Sequence, residues 1–373
     1  MDIDARKAVL TPPAVVLFVT AICFISGGAG CSTCPSAEHL IVYKEAGRFC
    51  GWPANNGIWS WGDEILVGFH LAHYKESENR HSIDRDKPAM RLLARSLDGG
   101  RSWKIERPEI FQTQIPGERK LLERPADIDF AHRDFAMTCR GSRFYISCDR
   151  GRTWKGPYKL PDFGQIKIMA RTDYIVNSKT DCMFFLTSTK RDGEEGRPFC
   201  ARSRDGGKTI EFVSWIAPEP QGYSIMPSTV RISPQGLVSA IRRYERGDIN
   251  MGWIEIYGSQ DDGQTWQFLS KAAETGSRGG NPPSMVRLAD GRLCLTYCYR
   301  SKPHGLRAVI SSDNGKTWGD VIHLRDDGRT WDIGYTRTVQ RPDGRLVTVY
   351  YYTTEQNRQQ HIAVTIWDPA KFK

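Results

Sequence analysis

The chain has 373 residues, 39% of them hydrophobic and 25% charged, with 11 Trp and 35 Gly. This composition excludes a disordered or fibrous chain and allows a substantial core, in one large domain or two ordinary ones. The formal net charge is +9, yet Lys and Arg are scattered among acids with no dense basic run, so no nucleic-acid partner is expected.

The first thirty residues read apart from the rest. Arg6 and Lys7 precede an apolar run from Ala14 to Ile25, then Ser26-Gly27-Gly28-Ala29-Gly30 and Cys31. A charged start, an apolar stretch short for a bilayer and a small-residue cleavage site predict a signal peptide over 1–30. The protein is then exported: periplasmic, outer-membrane-anchored or extracellular. Gly28-Ala29-Gly30-Cys31 is also similar to a bacterial lipoprotein box, which leaves two outcomes: membrane attachment through a lipidated Cys31, or plain cleavage near Gly30. Of the ten Cys, only Cys31 and Cys34 form a CxxC, with no second pair to complete a zinc site. No metal or cofactor is expected, and the other Cys read as small buried apolar residues.

Residues 38–373 are dominated by repeats. One octet recurs five times: Ser96-Leu-Asp98-Gly-Gly100-Arg-Ser102-Trp103, then Ser147 to Trp154, Ser203 to Ile210, Ser259 to Trp266 and Ser311 to Trp318. The pattern is S-x-D-x-G-x-[ST]-W, with Ile210 the exception, and its Asp residues lie 51, 56, 56 and 52 residues apart. An Asp that accepts from backbone N–H groups ahead of it, and a Gly at a backbone angle other residues avoid, make a tight turn. The Trp then anchors the following strand. These Asp residues therefore read as structural, not as catalytic acids or calcium ligands.

A second repeat lies between the octets. Met226-Pro-Ser228-Thr-Val and its continuation to Val238 are similar to Pro282-Pro-Ser284-Met-Val and to Tyr335-Thr-Arg337-Thr-Val, each running through a polar turn into a second apolar strand. Weaker copies span Trp52–Phe69, His132–Ile146 and Met169–Leu186. Six hairpins with an octet between the third and fourth strands of each unit predict an all-β, six-bladed β-propeller with five octet turns, its blades four-stranded. The last blade has no octet. Either His39–Tyr43 or Ile362–Trp367 is available to close the ring.

Five octets at this spacing resemble the Asp boxes of the sialidase superfamily, and the resemblance covers nearly all of 38–373. Gly47–Trp59 and Asp332-Ile-Gly-Tyr-Thr-Arg337 are also similar to bacterial sialidase-like (BNR-repeat) proteins. The resemblance implies an axial pocket in which three Arg clamp a substrate carboxylate, a Tyr activated by Glu is the nucleophile and an Asp is the acid/base. On that basis Tyr335 is the nucleophile, Arg242 or Arg243 serves from the fourth blade, and Arg300 or Arg307 from the fifth. In the first blade Gly51-Trp52-Pro53 replaces the family's Arg-Ile-Pro, leaving Arg48 as the nearby Arg. Met226 stands where the partner Glu is expected, and a thioether cannot polarise a phenol.

Taken without the family, the axis-facing strand ends are still polar. They carry Asn55, Asn56, His132, Asp134, Arg171, Asp173, Tyr335 and Arg337, with His70 and His73 on a second strand. Asp134 and Asp173 suit acid/base work, and His132 suits proton abstraction. Tyr335 and Arg337, two apart on one strand, should share a face, with Arg171 at the equivalent place in another blade. Trp52, Trp59 and Trp61 read as packing. The expected partner is a glycan and the expected state a monomer. The first reading is an exo-acting glycoside hydrolase of the sialidase type, acting on a terminal acidic sugar. The alternatives are a propeller glycosidase or polysaccharide lyase of another specificity, or a non-catalytic glycan binder. Two carboxylates beside Tyr335 would favour the first, a His–Tyr pair facing an Arg the lyase, and a shallow aromatic surface the binder.

Overall fold

The computed structural model describes residues 37–112, 121–125, 127–245 and 250–372; the expected signal peptide, with Cys31 and Cys34, lies outside them. Strand β1 (Ala37–Tyr43) precedes a first blade of β2 (Arg48–Gly51), β3 (Ile58–Trp61), β4 (Glu64–His73), β5 (Met90–Ser96) and β6 (Lys104–Glu106). The second blade is β7 (Ala136–Arg140), β8 (Arg143–Ser147) and β9 (Lys155–Lys159); the third is β10 (Tyr174–Val176), β11 (Cys182–Thr189), β12 (Glu195–Ser203) and β13 (Glu211–Trp215). The fourth holds β14 (Tyr223–Arg231), β15 (Leu237–Tyr244), β16 (Gly252–Ser259) and β17 (Gln267–Gly276). The fifth is β18 (Ser284–Arg287), β19 (Leu293–Tyr299), β20 (His304–Ser311) and β21 (Ile322–Gly328), and the sixth β22 (Gly334–Gln340), β23 (Leu346–Tyr352) and β24 (His361–Trp367).

Within each blade the strands pair in chain order, β2 and β3 lying end to end along β4 in the first. The exception closes the ring: β1 pairs antiparallel with β24, Leu40 opposite Val364. The two segments available for closure thus pair with each other. A strand from the start of the fold completes the sixth blade, tying both ends together and covering an otherwise open edge.

The second blade departs from the expected four strands, since only β7, β8 and β9 form among the described residues. The chain leading into it bonds sideways instead. Ile128 N–H donates to Gly206 O at 2.8 Å and Phe130 N–H to Lys179 O at 2.9 Å, both in the third blade. Backbone groups used between blades cannot also build a strand within one.

Blades packed face to face bury both sides of their middle strands, so β11, β23 and β24 are buried along their length. Cys50, Cys139, Cys182, Cys200, Cys294 and Cys298 are buried in these layers as free thiols, while Cys148 is exposed.

All five octets lead into the last strand of their blade and share one hydrogen-bond scheme. In the fourth blade Ser259 Oγ donates to Asp261 Oδ1 at 2.8 Å and accepts Gly263 N–H at 2.9 Å. Asp261 also accepts Thr265 N–H at 2.9 Å and Thr265 Oγ1–H at 2.6 Å. Two successive residues are left-handed, Asp262 (φ 58) and Gly263 (φ 85), and the same pair recurs at Asn314 and Gly315. The turn is thus held by the Asp carboxylate and lies at the blade's outer end. Asp261→Ala should lower unfolding free energy by about 1–2 kcal/mol, read by denaturant titration, and leave the axial chemistry of the folded protein intact.

Candidate functional site

The innermost strands are not continuous. In the fourth blade Ile225 pairs with Arg242 and Ser228 with Ala240, so Met226 and Pro227 bulge out of the ladder. In the sixth, Gly334 pairs with Tyr351 and Arg337 with Val349, so Tyr335 and Thr336 do the same. In the first, β2 and β3 are one strand broken by a short 3-10 turn, Pro53–Asn55. At each break one non-glycine residue is left-handed: Trp52 (φ 60), Met226 (φ 55) and Tyr335 (φ 55). Such a backbone costs about 1–3 kcal/mol per residue and persists only where the surroundings over-determine it. Trp52, Met226 and Tyr335 meet in one buried cluster at the axis.

Buried asparagines satisfy the backbone groups freed by two of the breaks. Asn281 accepts Tyr335 N–H at 2.8 Å and donates to Ile333 O at 2.9 Å. Asn56 donates to Trp52 O at 3.0 Å and lies 3.1 Å from His70 Nδ1. Gly334 (φ +117) is required beside Asn281, because a Cβ there would fall 2.1 Å from Asn281 Oδ1.

Around Tyr335 the structure gathers two arginines. Arg242 Nη1 donates to the Tyr335 hydroxyl at 3.2 Å, and the guanidinium carbons of Arg242 and Arg300 each stand 5.7 Å from its ring centre. Arg242 is held by Gly279 O (2.8 and 3.0 Å) and the Tyr223 hydroxyl (3.1 Å). Arg300 is held by Ile333 O (3.2 and 3.3 Å) and the Tyr351 hydroxyl (3.0 Å), and lies 5.3 Å from the Trp331 ring. Both guanidinium groups are buried, and among the described residues neither has a carboxylate within ion-pairing distance. Burial pushes the Tyr335 phenol up, but the charges of Arg242 and Arg300 outweigh it and hold the group below the ordinary tyrosine range.

Facing this group is a histidine from the loop between β4 and β5. His81 Nδ1 lies 2.6 Å from Asp332 Oδ1, and its ring centre is 6.2 Å from that of Tyr335. Asp332 is buried and also accepts Ser82 N–H at 2.9 Å, the Tyr351 hydroxyl at 2.7 Å and Gln360 Nε2 at 3.0 Å. Burial raises this carboxyl, yet His81, the Ser82 N–H and the charge of Arg300 together outweigh it and keep it below its usual range. Burial lowers His81 against the opposing pull of Asp332. The imidazole is therefore neutral near pH 7, with Nδ1–H fixed on the carboxylate and Nε2 turned away from it. Trp52 and Trp331 flank the ring at 5.2 and 5.7 Å. Trp52 Nε1 and His70 Nε2 are buried nearby without a protein partner among the described residues, as in sites that hold water or ligand.

The residues singled out from sequence divide by place. Tyr335, Arg242 and Arg300 come together at the axis. Arg171 is bound to Glu195 at 2.9 and 3.1 Å, though its charge still acts on the Tyr335 phenol. Arg337 does not share Tyr335's surroundings, because the bulge between them breaks the two-residue alternation. It donates to Ala54 O at 2.6 Å and Thr172 O at 2.5 Å, tying the sixth blade to the first and third. Ser228 and Ser284 hold the same repeat position and make the neighbouring joins, accepting Met285 N–H and Thr338 N–H at 2.9 Å each. Arg337 is thus a strut rather than a ligand clamp.

Asp173 is buried beside Arg337 with Oδ2 unpartnered. Asp134 is held by Arg150 at 2.6 Å, in a network with Glu64, and exposed His132 accepts its backbone N–H. Arg243 is paired with Glu245 and Arg307 with Asp326. Arg48 lies 3.2 Å from His73. Asn55 belongs to the 3-10 turn and Asn56 pins it. Sequence reading passed over His81, Tyr223, Asn281, Trp331 and Tyr351. Only a three-dimensional arrangement distinguishes them, although Asp332 stands three residues before Tyr335.

Ring, bulged inner strands and axial cluster together define a six-bladed propeller with an arginine-flanked tyrosine at its centre. The chain belongs to the BNR repeat-like domain family, whose match covers residues 132–348. A curated sialidase from Micromonospora viridifaciens is 26% identical over 214 residues, 48% of this chain, and the chain covers 31% of that protein's length. Among solved structures, a protein of unknown function from Dyadobacter fermentans aligns over 90% of this chain and 100% of its own, with TM-score 0.68 and 20% identity. The NanB sialidase of Streptococcus pneumoniae (90% and 71% covered, TM-score 0.58, 11% identity) and an α-L-arabinanase of Penicillium chrysogenum (90% and 99%, 0.56, 12%) share the fold.

Asn281→Ala should cost about 1–3 kcal/mol by leaving Tyr335 N–H and Ile333 O buried and unpaired, a loss measurable by denaturant titration. A second outcome follows from Asp173, whose carboxyl burial raises from 3.8 to about 7 against the pull of Arg337. Folding favours its protonated form, so that contribution is full below pH 3.8 and lost as pH rises through about 7. The melting temperature of the native protein should fall over this window relative to that of Asp173→Asn, compared by calorimetry at each pH.

Proposed function

We propose that this chain is a carbohydrate-active propeller enzyme that takes a terminal acidic sugar into the axial pocket and cleaves its glycosidic bond beside Tyr335. The observation that carries this reading is the pair of buried guanidinium groups flanking a buried phenol, neither directly ion-paired with a carboxylate among the described residues. Uncompensated buried cations are costly, and an anionic ligand group removes that cost. The named relatives, sialidases and an α-L-arabinanase, support a glycan substrate.

In the hydrolytic form of the reaction, Tyr335, its proton already lost to solvent, attacks the anomeric carbon as the phenolate while the imidazolium form of His81 protonates the departing oxygen from Nε2. Water, deprotonated by the same nitrogen, then releases the sugar. Met226 stands where a carboxylate would activate the phenol; here Arg242 and Arg300 lower its proton affinity instead. A second reading is favoured by one arrangement, the neutral His81 and Tyr335 facing two arginines. On a uronic acid, His81 would take the proton next to the carboxylate, Tyr335 would protonate the leaving oxygen, and a carbon–carbon double bond would form. Export to the cell surface or beyond goes with either reaction, and N-terminal sequencing from native cells should then find a start at or near Cys31.

A screen of sialosides, uronides and neutral glycosides, with product analysis, tests both forms. Hydrolysis incorporates oxygen from labelled water, whereas elimination gives an ultraviolet-absorbing unsaturated sugar. Turnover confined to neutral glycosides overturns the assignment. Tyr335→Phe should lower kcat by about 100-fold or more, and Arg242→Gln should raise KM roughly tenfold or more. The pH profile separates the two routes through the lowered His81. Hydrolysis needs its protonated form and should be fastest on the acid side; elimination needs the neutral form and should persist through neutrality.

A further inference from the structure

Beside the axial pocket a second feature stands out by charge. A cleft of about 500 Å³ between the second and third blades is lined by Arg91, Arg140, Arg143, Lys159 and Lys167, with Asp162 the acid among its lining residues. Arg140, Lys159 and Lys167 are exposed, whereas Arg91 is buried, its guanidinium 4.2 Å from the Phe111 ring centre and 5.0 Å from that of Tyr145. Rings on which a guanidinium lies fix its position while leaving its charge uncancelled. Burial and the neighbouring charge of Arg140 bring Arg91 down to about 10, so these two cations repel each other.

The cleft lies close to the axial site along the chain's backbone contacts. The turn after Arg140 is bonded to the chain just before Arg171: Gly141 N–H donates to Ala170 O at 3.1 Å, and Ala170 N–H to Gly141 O at 2.9 Å. Arg140 feels the charge of Arg171, and His70, behind Trp52, feels those of Arg140 and Arg91. The cations of the cleft are therefore near enough to the axial site for their charge to be felt at His70.

We propose that this cleft is an extended subsite binding the continuing chain of a polyanionic glycan whose terminal acidic sugar occupies the axial pocket. The inference rests on the reading of that pocket given above. It adds that the substrate is a polymer or long oligomer with acid groups along its length rather than a glycan acidic at its tip alone. Several cations lining one cleft reward repeated charge, and a neutral chain would leave that charge unmatched.

Calorimetric titration with galacturonic acid and its oligomers, with heparin-derived oligosaccharides of matched length and with neutral cello-oligosaccharides tests the inference. In at least one acidic series the affinity should rise about tenfold or more from the shortest ligand to the tetramer, and the rise should shrink at high salt. The triple variant Arg140→Gln, Lys159→Gln, Lys167→Gln, altered only at exposed positions, should abolish the rise and leave the melting temperature and binding of the shortest ligand unchanged. No length dependence in either acidic series, an equal rise with neutral oligomers, or a rise that survives in the triple variant overturns the subsite. If the shortest acids fail to bind while longer ones bind through Arg140, Lys159 and Lys167, the axial reading falls and the cleft stands.

Discussion

A strand held in a ladder must send successive side chains to opposite faces of its sheet, and in a propeller those faces are covered by the neighbouring blades. Neither direction points into the space around the axis. This protein escapes the constraint by breaking the inner strands of the first, fourth and sixth blades at left-handed residues, Trp52, Met226 and Tyr335. Extra residues at those points free the side chains from alternation and let them converge. The strain is held by what lies around it, above all by Asn281 and Asn56, whose amides replace the lost backbone partners. Without these breaks the axis would be lined by backbone, and no phenol would stand between two arginines.

Once Tyr335 is in place, its chemistry is set by charge. Sialidase-like architecture implies a glutamate beside the nucleophile; here that place is taken by Met226, whose sulfur lies 3.9 Å from Arg242 Nη1. A carboxylate would cancel one arginine and pull a proton from the phenol. A thioether does neither, so both cations remain and stabilise the phenolate directly. In the proposed reaction proton transfer then falls to His81, which Asp332 orients on the opposite wall. Loop contacts carry that wall: Trp331 Nε1 donates to Glu78 O at 2.8 Å, tying the loop bearing His81 to the segment bearing Asp332.

Stability and function use neighbouring positions of one repeat. In the segments beginning at Met226, Pro282 and Tyr335, the first residue faces the axis in two blades, and the third, Ser228, Ser284 or Arg337, joins blade to blade. The sixth blade uses an arginine where the others use serine, and its longer side chain reaches carbonyls of both the first and third blades. The arginine that looked most like a ligand clamp is therefore part of the frame.

The propeller was legible in the chain because its information is local and repeated. Each octet closes its own turn through hydrogen bonds spanning at most four residues, and five octets at near-constant spacing, with six hairpins between and beside them, fix the unit and its number. Tyr335, Arg242 and Arg300 were legible for a related reason, since each sits at a fixed offset within a repeat. The three-stranded second blade was not, because the competing bonds of Ile128 and Phe130 go to Gly206 and Lys179 of the next blade, far along the chain. Nor were His81, Asn281, Trp331 and Tyr351, which lie in loops or buried strands and acquire their roles only from distant partners. His81 and Asp332 are 251 residues apart along the chain and 2.6 Å apart in space. Sequence determines periodic, short-range structure by itself; which polar side chains share a pocket is decided by how the ring closes, because closure alone brings the first blade against the last.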